Sequence, residues 1–142
     1  MIIPISQNET YRKTQIDTAG PEMLVLMLYD GALKFMSKAQ DAFEQGDKQE
    51  INNMLLRVQA IITELLTSLD KEKGGEVAIN LERLYIFFLE KLSDSNINKD
   101  VKPLNEIRPL IQDLRDTWAE IVKQSVKPVP QPAPIPRISI SA

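Results

Sequence analysis

The chain has 142 residues, 43% of them hydrophobic and 26% charged, with a net charge of −3. That length suits one domain with its own core, and the charge argues against a nucleic-acid-binding surface, which is ordinarily basic. Cysteine and histidine are both absent, which removes disulfides, thiolate metal sites, the Ser-His triad and the commonest general base together.

Residues 1–20 carry little periodicity and read as an extended arm with scattered apolar points at Ile2, Ile3, Ile5, Tyr11 and Ile16. The opening MIIPISQNETYRK is too polar for a signal peptide. No apolar run approaches the roughly 18 residues that span a bilayer, so a cytoplasmic protein is expected. Pro21 suits a first helical position, with Gly20 as N-cap and Glu22 complementing the helix dipole. The helix that follows opens with seven consecutive apolar residues, Met23 to Tyr29. A helix facing a core on one side needs only about three apolar positions in seven. This one is apolar on more than one side, so either several neighbours bury it or part of it serves a partner.

Gly46 is placed to end the first helix. Asp47 and Glu50 then resemble a capping box that opens a second helix, expected to run to about Lys73. Its stripe is Ile51, Leu55, Val58, Ile62, Leu65 and Leu69, in the alternating steps of four and three found in bundles. Gly74-Gly75 reads as the inter-helix turn. A third helix is predicted from Glu76 to about Asp94, with one stripe of Val77, Leu81, Leu84 and Phe88, widened by Ala78, Tyr85, Leu89 and Leu92. Leu84 to Leu89 is again apolar all round. Residues 93–100 read as a fraying end and loop. A fourth helix, about 101–125, carries Leu104, Ile107, Ile111, Leu114, Trp118 and Ile121, with Pro109 inside it predicting a bend or a split. From Lys127 the composition becomes proline-alternating, KPVPQPAPIPRISISA, and favours an unpacked polyproline II tail. The fold expected is all-α, an antiparallel four-helix bundle over 21–126, between an arm (1–20) and a tail (127–142).

Little in this pattern supports catalysis. Acidic residues such as Glu64, Glu82 and Asp113 fall off the apolar stripes, where solvated faces are expected rather than metal ligands. No metal or cofactor is expected, and the chain is not read as an enzyme. Gly74-Gly75 before a helix start could suggest an anion nest, but no strand or Walker lysine accompanies it. Gly31, inside the first helix, reads as close helix packing, with a ligand notch as the alternative. The two wide apolar runs exceed what four helices can hide. An accessory cover is required: the arm, a second copy, or a partner's amphipathic segment.

Several stretches in order resemble the FliS family of flagellar export chaperones: Pro21 with MLVLMLYDGALKF, EQGD at 44–47, LDKEKGGEVAINLERLY at 69–85, and LRDTW at 114–118. The resemblance spans about residues 8–122. It implies a helical bundle that binds the C-terminal segment of newly made flagellin in the cytoplasm and holds it from aggregation and polymerisation until export. It also implies an arm that occupies the groove when flagellin is absent, a role that falls here to Tyr11 and Ile16. Some relatives contact a flagellar anti-sigma factor, a further implied partner. Gly20 stands where the family often has serine, and the tail has no family counterpart. The partner-contact residues expected are Leu24, Leu28, Tyr29, Gly31, Ile62, Leu66, Leu81, Tyr85, Ile86 and Leu89. A charge at Tyr85 is expected to abolish capture and leave helicity intact. The rival readings are a homodimer that buries the same runs and a regulatory adaptor that binds an anti-sigma factor; neither nucleic acid nor membrane insertion is expected.

Overall fold

The computed structural model describes residues 20–126, with side chains through 124. The arm and the tail lie outside the described residues. The architecture is all-α, with four helices and no strand among the described residues: α1 (Pro21–Gln45), α2 (Lys48–Thr67), α3 (Lys71–Asn98) and α4 (Val101–Val126).

Local chemistry sets each boundary. The Gly20 carbonyl accepts the first helical bond, from Leu24 N at 3.0 Å. Gly46 ends α1 at φ 68°, with the Asp47 amide returning to the Ala42 carbonyl at 3.0 Å, the closure expected of a left-handed glycine after a helix. Asp47 at once caps α2, its Oδ1 accepting from Glu50 N at 3.1 Å. The end of α3 repeats this device with Lys99 in the left-handed position at φ 50°. The Asp100 amide returns to the Ser95 carbonyl at 3.0 Å, and Asp100 Oδ1 accepts from Lys102 N at 3.0 Å. The Lys99 ammonium anchors itself on Asn96, at 2.6 Å from O and 2.8 Å from Oδ1.

Three boundaries differ from those expected. The second helix stops at Thr67, not Lys73, because Ser68 takes over its last carbonyls: Ser68 N on Glu64 O at 3.1 Å and Ser68 Oγ on Leu65 O at 2.9 Å. Asp70, rather than the glycine pair, opens the third helix, accepting from Glu72 N and Lys73 N at 3.1 Å each. Gly74-Gly75 lies within the α3 span and makes a bend there, with Gly75 at φ 57°, ψ −131°. The segment 93–100 is helical to Asn98. Helix α4 continues through Pro109. Pro109 is exposed, as is Asn105, whose carbonyl it deprives of a donor, so water can satisfy that carbonyl.

The described residues fall into two compact units. In Met27–Arg115, side chains link α1 to α2 (Arg57 guanidinium 5.4 Å over the Phe35 ring), α2 to α3 (Asn96 Nδ2 to Asn52 Oδ1, 2.9 Å) and α3 to α4 (Lys91 Nζ to Glu106 Oε1, 2.9 Å). Arg115 to Asp30 at 2.8 Å and Gln40 to Asn105 at 2.8 Å join α4 back to α1. Residue numbers rise on one helix as they fall on the other between α1 and α4 (30 with 115, 40 with 105) and, across the 99–100 turn, between α3 and α4 (95 with 100, 91 with 106), so these neighbours are antiparallel. The interior holds Tyr29, Met36, Leu55, Ile62, Leu65, Tyr85, Phe88, Leu92, Leu104, Ile107 and Ile111. No buried side-chain nitrogen or oxygen among the described residues lacks a hydrogen-bond partner. In the second unit, whose described part is 20–26 with 116–126, Met23 to Leu26 and Trp118 are half-buried, Val122 is buried and Ile121 is exposed.

Candidate partner-binding surface

Helix α3 has two apolar faces. One is inside, formed by Ala78, Tyr85, Phe88 and Leu92. The other lies in solvent: Ile79, Ile86, Phe87 and Ile97 are 38, 44, 37 and 76% exposed. Steps of seven and eleven residues return a helix to within about 20° of the same side, so Ile79, Ile86 and Ile97 stand in one line along its outer ridge. Arg83 and Glu90 interrupt that line, and Phe87 flanks it.

The flank toward α4 is organised by the Lys91–Glu106 ion pair. Lys91 Nζ also sits 5.6 Å from the centre of the Phe87 ring, within cation–π range. The hydrogen bond to Glu106 raises the Lys91 pKa, with the Glu106 charge acting in the same direction. Leu110, 41% exposed, lies one turn beyond Glu106 on α4, as Phe87 lies one turn before Lys91 on α3. In an antiparallel pair these displacements point the same way, so Phe87 and Leu110 line the same stretch of the α3–α4 edge.

Beneath the ridge the helix is fixed by a bond that crosses between α1 and α3, Tyr29 Oη to Tyr85 Oη at 2.5 Å. Burial pushes the Tyr85 phenol above its ordinary pKa, and the Tyr29 hydroxyl partly offsets this. The Tyr85 ring also packs at a tilt against Phe88, with centroids 6.3 Å apart.

The residues named from the sequence separate by burial. Ile86 is on the exposed ridge; Leu28, Leu66, Leu81 and Leu89 are half-buried; Tyr29, Ile62 and Tyr85 are interior, at most 1% exposed. The structure therefore makes Tyr85 a core residue, and helicity is not expected to survive a charge placed there. Its ring shares the buried face with Ala78, Phe88 and Leu92, and the pairing with Tyr29 satisfies its hydroxyl there. Gly31 is half-buried, and a Cβ built on it would meet Ile61 Cδ1 at 3.3 Å. Ile61 thus fills the notch, the close-packing alternative. Leu24 is half-buried in the flanking unit, and Tyr11 and Ile16 lie outside the described residues. Val77, read as a core position, is 67% exposed. Phe87, Ile79, Ile97 and Leu110 were not named; the seven-and-eleven spacing of the isoleucines was the available signal. Glu64 and Asp113 are exposed, and Glu82 pairs with Lys71 at 3.0 Å. No described helix is long and apolar enough to cross a membrane.

The family model described as flagellar protein FliS matches residues 4–125. The chain is 32% identical over 117 residues to the flagellar secretion chaperone FliS of Bacillus subtilis, covering 82% of this chain and 86% of the relative. It is 34% identical over 111 residues to that of Campylobacter jejuni, covering 78% and 87%. The Salmonella typhimurium chaperone of the same name is 33% identical over 110 residues, covering 77% and 82%. Matched over most of its length by the family model and by relatives of nearly the same extent, the chain belongs to the FliS family.

Proposed function

We propose that the protein is a flagellar export chaperone that binds the C-terminal segment of flagellin in the cytoplasm and keeps it from self-association until export. One observation carries this reading: an apolar ridge stands in solvent on a helix whose opposite face is fully packed. Exposed apolar surface of that kind, beyond what the interior requires, marks a partner site. An amphipathic segment laid along Ile79, Ile86 and Phe87 gains around 25 cal/mol per Å² of apolar burial, less the cost of ordering it. Coupled folding of this kind masks a long segment with a small protein. Leu89, half-buried and about 60° round the helix from Ile86, supplies a margin of the contact, and Tyr29, Ile62 and Tyr85 support it from within. Names given to relatives support the chaperone role, and the absence of a described membrane-spanning helix is compatible with the cytoplasmic location.

The test is calorimetric titration of a synthetic flagellin C-terminal peptide into the full chain, with circular dichroism alongside. Saturable binding with a negative heat-capacity change and a gain in helicity is expected. Absence of binding, or a tight dimer by sedimentation that takes up no peptide, overturns the proposal.

A further inference from the structure

The first turn of α3 is bent back on the helix it begins. Lys71 Nζ reaches Glu82 Oε2 at 3.0 Å across eleven positions of the chain. In a continuous helix those residues are separated by about 16 Å of rise, beyond the reach of the two side chains. The ion pair therefore exists only while the bend at Gly75 exists. Each glycine is required by the bend for a different reason. Gly75 sits at φ 57°, ψ −131°, a conformation for which only glycine is suited. A Cβ on Gly74 would lie 2.7 Å from Ala78 Cβ, whereas residues four apart in a regular helix keep their Cβ atoms about 5–6 Å apart. Both sides of the bend are otherwise helical, and Asp70 caps the short turn through Glu72 N and Lys73 N. Residues 70–77 are all exposed, so little else holds the turn down.

From these contacts we infer that the 71–74 turn is a two-state strap hinged at Gly74-Gly75 and latched by Lys71–Glu82. The bent state is the one described; the other is a straight α3 running from Lys71 to Asn98. In the bent state the turn lies beside Glu82, on the flank of the ridge between Ile79 and Ile86. Straightening clears that flank and lengthens the outer face available to a bound segment. The strap thus regulates access to the ridge, and this half of the inference rests on the proposed function.

The chain has no cysteine, so spin labels on an E72C/D94C background report one distance. A straight helix puts these positions about 33 Å apart; the bent form is shorter. Gly74→Ala and Gly75→Ala each penalise the bend and favour the helix. Each is expected to raise the long-to-short ratio by about tenfold or more. Lys71→Met removes only an exposed ion pair and is expected to raise it by a smaller factor. Distances that stay short in both glycine variants overturn the hinge. If one of those variants fails to fold, the other and Lys71→Met decide. Adding the flagellin C-terminal peptide is expected to shift the background protein toward the long distance. Peptide that binds with no such shift overturns the regulatory half. Peptide that does not bind overturns the proposed function and that half with it, while the glycine variants still report the hinge.

Discussion

The inner and outer faces of α3 have similar side chains and opposite surroundings. Tyr85 and Phe88 are fully buried, with the one hydroxyl paired across the interior. Ile86 and Phe87, between them in sequence, stand in solvent. Four consecutive large apolar residues thus divide two and two. The difference separates apolar surface that the fold consumes from apolar surface it leaves over: the inner pair is sealed in the interior, and the outer pair keeps more than a third of its surface in solvent, with Phe87 also held against Lys91.

The strongest way to break that contrast is on the inner side. Tyr85→Asp places an unpaired charge in the interior, at a cost that exceeds a typical domain's margin of stability once the lost packing is added. The cooperative thermal transition followed by circular dichroism is expected to disappear. Phe88→Ala is expected to cost about 3–5 kcal/mol by transfer and cavity terms and to lower the melting temperature by roughly 10–20 °C. On the outer side, Ile86→Asp is expected to leave stability within about 0.5 kcal/mol in urea titration, and Phe87→Asp to cost about 0.5–1 kcal/mol more through its Lys91 contact. On the proposed function, both are expected to weaken flagellin-peptide binding at least about tenfold, near 1.4 kcal/mol. Equal stability losses on both faces would erase the distinction.

A subtler probe is the buried hydroxyl pair. Tyr85→Phe is expected to cost about 1 kcal/mol. The folded Tyr85 pKa lies above its unfolded value near 10, so above that pH the native state holds a proton that the unfolded chain releases. Stability from this group is complete below about pH 10 and falls as pH rises through the folded pKa. Tyr85→Phe should remove that alkaline decline, as read by urea midpoints between pH 9 and 11. The smallest effect expected is at Gly31→Ala. The helical gain of about 0.5–1 kcal/mol opposes the tight 3.3 Å approach to Ile61 Cδ1, leaving a net change in urea stability near zero.

Much of the fold was legible because its signals are local. Gly46 and Asp47 announce their turn by residue type, and the α2 stripe from Ile51 to Leu65 is one-sided and unambiguous. Other features were hidden by competition between local rules. The glycine pair is a stronger breaker than Asp70 is a cap, so the turn was expected at 74–75, where the chain uses both glycines to bend a helix already begun. Lys99 takes a left-handed conformation that lysine seldom signals, and its ammonium bonds to Asn96 explain the exception only once seen. The surplus of apolar surface was legible from the two unbroken runs, Met23 to Tyr29 and Leu84 to Leu89, but which side of each stays exposed was not. In a run apolar on all sides, such as Leu84 to Leu89, periodicity cannot choose the inward face. The inward face is the one shared by Ala78, Tyr85, Phe88 and Leu92, and its polar requirement is met by Tyr29, 56 residues away, whose hydroxyl pairs with that of Tyr85.

The most direct test of this division is a paired titration of the flagellin C-terminal peptide into the native chain and into Ile86→Asp, each first shown to unfold at the same urea midpoint. The expected result is saturable binding by the native chain and affinity at least about tenfold weaker for the variant. Equal affinities in two equally stable proteins would contradict the assignment of the α3 ridge as the binding surface.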